Sequence, residues 1–363
     1  MRENFLKILE SQNSINGRYS DLRRIGPNGG GGAFSILLSA TDTQSGKKVA
    51  LKFYDPTQSG DAYRMACFER ESRVLKRLKG HHHILQLVDE IRGYQYQIVD
   101  QQTQLPFVIP FQFLVLDLAE SSVFDYIYER NSDSPIRHLD VFRSICKGVR
   151  RLHSEGICHR DLKPDNCLFM RHRYPVVSDF GTARVLDGSI PSPQVNYQAP
   201  VGDLRYTAPE LLCGLDGGTV FQCEADMYSL GAILFEIFTK APLSSYLDAI
   251  IKNLFYQFSA IPVQNKKQVF DGIIATISAN NKLPDILSCA PPGTIPNCIS
   301  GRLDRLYKYL ANLDYRSRMT SWDSIFNQLN IMTIICKLER DRQHSRAYRR
   351  LIRERRRQAR MGY

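Results

Sequence analysis

The nine residues CHRDLKPDN, Cys158 to Asn166, limit most tightly what this chain can become. They gather an imidazole, a guanidinium, two carboxylates, an amine and an amide, and Leu162 is their only strongly apolar member. Neither a helical nor a strand period accounts for them. So dense a polar loop is costly to bury unless it meets a charged ligand, so it lies on the surface or in a site. Its residue types suit phosphoryl transfer, where catalysis is mainly positioning and charge neutralisation. Asp161 can accept a hydroxyl proton. Lys163 can offset charge moving off a terminal phosphate, and Asn166 can offer an oxygen to a hard cation such as Mg2+.

Two companion stretches fit the same chemistry. Soon after Asn166 comes SDFGTAR, in which Asp179, thirteen residues on, supplies the carboxylate Mg2+ requires and Gly181 allows a sharp turn. Upstream, VALK puts Lys52 on a strand, from which it can reach inner phosphates. A lysine there needs a counter-charge, and Glu71, on a helix expected over Cys67–Leu78, is the natural partner.

With 363 residues the chain exceeds what one hydrophobic core usually supports, so two lobes are expected. The pattern predicts an α+β fold. An amphipathic helical extension covers residues 1–18. A small β-rich lobe with one main helix covers 19–118, a larger helical lobe 119–338, and a basic tail 339–363. ADMYSLGAILFEIF is apolar nearly all round, which predicts a helix buried on every side.

VALK, HRDLKPDN, DFG and TAPE stand in this order, and the chain resembles a eukaryotic-type Ser/Thr protein kinase over roughly residues 19–336. The resemblance implies a two-lobed fold with ATP and Mg2+ in its cleft, and a protein substrate bearing Ser or Thr. It implies that Lys52, paired with Glu71, holds the α and β phosphates, and that Asp161 is the catalytic base assisted by Lys163. Asn166 and Asp179 would bind the metal. Asp117 to Ala119 would be the hinge against adenine, with Leu116 behind it and Leu37, Ala50 and Leu168 around the ring. Gly30 and Gly32 would cradle phosphate. Glu210 of TAPE would pair with Arg318, and Asp226 would brace the catalytic loop. A lysine at 163 resembles the Ser/Thr pattern more than the tyrosine one.

Three departures stand out. Ser35 takes the place of the third loop glycine, and IGPNGGGG is about four residues longer than the pattern. Asp203 stands where the Ser/Thr pattern has threonine, and its carboxylate is expected to attract Lys163 and repel Asp161. The residue usually phosphorylated aligns with Ala199; either Ser189, Ser192 or Tyr197 substitutes for it, or an acid such as Asp203 engages Arg160 instead. A binding module with little catalysis is the rival reading.

Charge is uneven. Between Lys337 and Arg360 eleven basic residues face three acidic ones, so this segment carries +8 of the net +11. An anionic partner for the tail, whether acidic protein, anionic lipid or nucleic acid, is one expectation; a solvated helical end is the other. Nine scattered cysteines without a C-x-x-C pair are expected to be thiols in a cytoplasm-like compartment. The run His81 to His83 reads as loop residues, because three adjacent side chains cannot readily converge on one metal. No run of ~18 apolar residues marks a transmembrane segment.

Overall fold

The computed structural model describes residues 2–26, 35–58, 60–99, 105–129, 134–171, 174–190, 202–215 and 222–361. The chain divides into two compact units, Met1–Tyr126 with Lys147–Asp203, and Ile127–Cys146 with Leu204–Tyr363. As the resemblance implies, the N-terminal region is built on a β-sheet and the C-terminal region is helical.

The first unit opens with α1 (Arg2–Glu10), β1 (Ser14–Ile15), β2 (Tyr19–Arg24), β3 (Ser35–Asp42) and β4 (Lys48–Tyr54). Next come α2 (Ala62–Arg77), β5 (Leu87–Val99), β6 (Pro106–Asp117) and β7 (Ser121–Ser122). Helices α3 (Val123–Glu129) and α4 (Pro135–Ser154) each contribute residues to both units, and the first unit continues with β8 (Ile157–Cys158), β9 (Cys167–Phe169), β10 (Pro175–Val177) and β11 (Arg184–Val185). Six strands form one antiparallel sheet in the order β1-β2-β3-β4-β6-β5. The alternation of SILLSAT and KVALKFY gives that sheet a buried apolar face, and α1 lies on it. Leu6 and Leu9 share a buried cluster with Leu38, Leu51, Phe53 and Phe111. Phe5 meets Phe111 edge-on at 5.8 Å.

Helix α2 starts five residues earlier than the apolar spacing predicts. Asp61 caps it, its carboxylate accepting from the Tyr63 and Arg64 amides. Helix α4 stops before Gly156, whose φ of +66° turns the chain into β8. Strand β9 lies between β10 and β7. Residues 155–183 therefore form short, tightly turned segments that hold the polar residues singled out in the sequence.

The second unit holds α5 (Pro209–Leu212), α6 (Gln222–Thr239), α7 (Ser244–Ser259), α8 (Val263–Asn280), α9 (Ile286–Cys289), α10 (Asn297–Leu310) and α11 (Trp322–Met361). Every residue of α6 from Ala225 to Thr239 is buried, as its uniform apolarity predicts. Helix α11 buries Ile325, Leu329 and Met332, while Trp322 and Phe326 are half-buried and stack on each other. The basic tail continues this same helix: residues 340–351 are all exposed. Among the described residues no helix is long and apolar enough to cross a membrane.

Candidate active site

Strand β4 sets Lys52 opposite Leu37 on β3 and Leu114 on β6. Its ammonium donates to Glu71 Oε2 at 2.6 Å and to Asp179 Oδ1 at 3.1 Å. Residues from a strand, a helix and a distant turn thus meet around one cation. Burial opposes the charge of Lys52, but Asp179 and Glu71 outweigh it and raise its pKa. Burial pushes the Glu71 carboxyl up to about 6, against the pull of Lys52. Burial also opposes the charge of Asp179, but attraction to Lys52 and Lys163 leaves its carboxyl below the usual range. Two carboxylates around one ammonium leave surplus negative charge, which suits a further cation. Asp179 has a φ of +63° and Arg160 one of +68°; for residues with a Cβ this region costs about 1–2 kcal/mol each.

The loop from Cys158 to Asn166 is laced to its neighbours. Asp161 Oδ2 accepts from Lys163 Nζ at 3.0 Å and Asn166 Nδ2 at 3.1 Å. Asn166 Nδ2 also donates to the Asp161 carbonyl at 2.8 Å. Both amide hydrogens of Asn166 are thereby directed at Asp161, and its Oδ1 remains the group suited to a hard cation. The fully buried His159 accepts the Asp161 amide at Nδ1 (3.3 Å). Its Nε2 therefore carries the hydrogen and donates to the Ser178 carbonyl at 2.8 Å. Ser178 in turn donates from Oγ to the Asn166 carbonyl at 2.9 Å. The residue preceding Asp179 is thus tied to the loop holding Asp161.

Asp203 makes a contact the sequence did not suggest. Its backbone N–H, not its carboxylate, donates to Asp161 Oδ1 at 2.8 Å. Lys163 bonds Asp161. Burial works against the Lys163 ammonium, but Asp161 outweighs it and raises its pKa, with Asp179 and Asp203 adding smaller pulls.

The remaining predicted residues fall as follows. Leu37 and Ala50 lie on adjacent strands, and Leu116, buried, pairs with Ala50 across β4 and β6. The Asp117 N–H donates to the Gln86 carbonyl at 3.1 Å, and burial raises its carboxyl's pKa against Lys47. Ala119 is half-buried beyond β6, and Leu168 is half-buried on β9. Gly30, Gly32, Ser192, Tyr197 and Ala199 lie outside the described residues. Ser189 is exposed, its amide bonded to Asp187 and its hydroxyl accepting from Arg77 at 3.2 Å. His81 Nε2 accepts from the Arg151 guanidinium at 3.1 Å, a role that needs no metal.

Sequence reasoning passed over Arg70, beside Glu71 on α2. It is buried and donates to the Gly181 carbonyl at 2.9 Å. Burial lowers its pKa, with the Arg160 charge adding to that effect. Adjacency to Glu71 on a helix turned toward the DFG stretch was the signal available. In the second unit Arg318 pairs with Glu210 at 2.5 and 2.8 Å, both side chains fully buried, and also donates to the carbonyls of Asn312 and Glu224. Asp226 is fully buried in α6.

Comparison with known proteins gives consistent matches. A family model described as a protein kinase domain matches residues 21–330. A probable myosin light chain kinase of Dictyostelium discoideum is 30% identical over 60% of this chain and 50% of its own length. The carbon catabolite-derepressing protein kinase of Saccharomyces cerevisiae is 30% identical over 60% of this chain and 30% of its own. A mitogen-activated protein kinase of Schizosaccharomyces pombe is 28% identical over 86% of this chain and 80% of its own. The chain thus spans half or less of the length of the first two.

Proposed function

This chain belongs to the protein kinase family, and on that premise we propose that it transfers the γ-phosphate of ATP to serine or threonine hydroxyls of proteins. The observation that carries the reading is the convergence of Lys52, Glu71 and Asp179, with Asp161, Lys163 and Asn166 laced to the same segments. Lys52, fixed between two carboxylates, is held fully charged for the inner phosphates. Asp161 orients the attacking hydroxyl and takes its proton. Lys163, bonded to Asp161, stands ready to offset charge on the transferring group. The hard oxygens of Asp179 and Asn166 would hold Mg2+, which would supply positive charge to offset that of the phosphates. Leu37, Ala50, Leu116 and Leu168 would take the adenine ring, the hinge from Asp117 to Ala119 would take its polar edge, and Gly30 and Gly32 would lie against the phosphates.

The test is purified protein with labelled ATP and a panel of peptides and metabolites. Labelled Ser/Thr peptides are expected, with Asp161→Asn and Asp179→Ala each lowering turnover roughly 10²–10⁴-fold. Labelling that survives both changes overturns the reading. Nucleotide binding without any labelling would favour a binding module, a reading that Asp203 at the usual threonine position supports.

All nine cysteines are free thiols, which supports a reducing compartment such as the cytoplasm. The exposed part of α11 suits a phosphate-bearing polyanion, and nucleic acid above lipid. Ten of the eleven basic residues from Lys337 to Arg360 in the sequence are arginines, suited to bidentate phosphate contact, and Arg342, Arg346, Arg349 and Arg353 recur at the spacing of one helix face. Its apolar row of Leu338, Tyr348 and Ile352 is interrupted by Asp341 and Ser345, a poor face for membrane insertion.

A further inference from the structure

Helix α1 does more than cover the sheet. Arg24 is the last residue of β2 and Ser35 the first of β3, so these two positions bracket the glycine-rich stretch. Both are held from α1. The Arg24 guanidinium donates through Nη2 to Glu3 Oε1 and to Glu10 Oε2, each at 2.9 Å, and the Arg24 amide donates to Glu10 Oε1 at 3.2 Å. At the other stem, Arg2 Nη2 donates to the Ser35 carbonyl at 2.5 Å. Arg2 also lies 3.8 Å from the buried carboxylate of Asp55, just past β4. Between these polar ends the apolar side of α1 is seated by Leu6 and Leu9, which are 2% and 0% exposed. Beyond α1, Gln12 accepts from the Tyr94 hydroxyl at 2.9 Å and Asn16 donates to the Gly93 carbonyl at 2.9 Å. The N-terminal segment is therefore anchored on β5 while it grips β2 and β3.

We infer that α1 is a built-in clamp that sets the spacing and pitch of the two strand ends carrying the glycine-rich stretch, and so tunes the hold on ATP. A long glycine run loses much conformational entropy when it orders on a ligand. Fixing its two stems in advance removes part of that loss, the usual gain from preorganisation. The clamp compensates in this way for the extra glycines and for Ser35, whose carbonyl it holds. This inference rests on the proposed ATP site, but the geometry of the clamp stands apart from it.

The test uses the full chain, Arg24→Glu, and the swap Arg24→Glu with Glu10→Arg. Three readouts are taken: hydrogen exchange at residues 22–26 and 35–38, calorimetric affinity for a non-hydrolysable ATP analogue, and KM for ATP against kcat. Arg24→Glu is expected to speed exchange at both stems and to raise Kd and KM for ATP roughly fivefold, with kcat at saturating ATP nearly unchanged. The swap should recover most of both effects, which a generally destabilised fold would not. Unchanged exchange in Arg24→Glu overturns the clamp. Faster exchange with unchanged ATP affinity overturns the tuning of ATP. If the parent chain binds no nucleotide, the ATP reading and the tuning of ATP fail together, and the exchange data still decide the clamp.

Discussion

At the scale of single residues, ion pairs here differ in worth according to burial. The Arg18–Asp42 pair is bidentate at 2.8 and 2.9 Å, and Asp42 is 1% exposed. Hydrogen bonding from Arg18, against the penalty of burial, holds the Asp42 carboxyl far below its usual range, helped by Ser45 and the Gln44 amide. A depressed carboxyl stabilises the fold above its unfolded pKa of about 4, and that contribution fades as pH falls toward the folded value. Asp42→Asn should therefore lose about 2 kcal/mol at pH 7 in a urea titration. The gap from the parent protein should narrow steadily below pH 4; a constant gap would contradict the linkage. Exposed pairs such as Lys76–Glu90 carry no comparable expectation.

At the scale of elements, close approach decides where glycine is needed. Helix α4 passes so near β10 that a Cβ on Gly148 would lie 2.6 Å from Val177 Cγ2 and 2.7 Å from the His83 carbonyl. Gly148→Ala gains about 1 kcal/mol of helix propensity but overpacks a site where a strand and a backbone carbonyl must yield, at about 1–3 kcal/mol. Because Val177 also exchanges backbone bonds with His83 and Leu85, little room exists to relax. A Tm lowered by a few degrees is expected by calorimetry; a raised Tm would show that propensity prevails. None of this was legible in the one-dimensional pattern. What was legible were elements with a strong period or cap, such as the largely apolar α6 and the helix bearing Glu71. The pairing of Glu210 with Arg318 came from the resemblance. Contacts made by backbone were not legible, since the Asp203 N–H on Asp161 depends on no side chain. Nor was the docking of α1, because an amphipathic period gives an apolar face without naming the surface it meets.

At the scale of the whole molecule, charge is concentrated in one element. Helix α11 runs for 40 residues, about 60 Å, and its basic stretch is exposed along residues 340–351. If about six arginines reach phosphates, the affinity for duplex DNA should fall with salt at a log–log slope of about −5. Removing residues 340–363 should abolish that dependence, while vesicles containing phosphatidylserine should bind more weakly than the duplex at equal salt. Stronger binding to vesicles would assign the tail to membranes, and an unchanged slope after truncation would leave it a solvated end. The six-stranded sheet carries a different liability. Its order ends on β5, a 13-residue edge strand, and Ile98, Phe107 and Val108 are exposed on the hairpin it forms with β6. Asp89, Glu90 and Arg92 guard the base of that edge, but from Gly93 to Val99 it carries no charge. In crowded solution that stretch is a template on which a strand from another polypeptide can add. Lysines placed along it would act as gatekeepers against such addition.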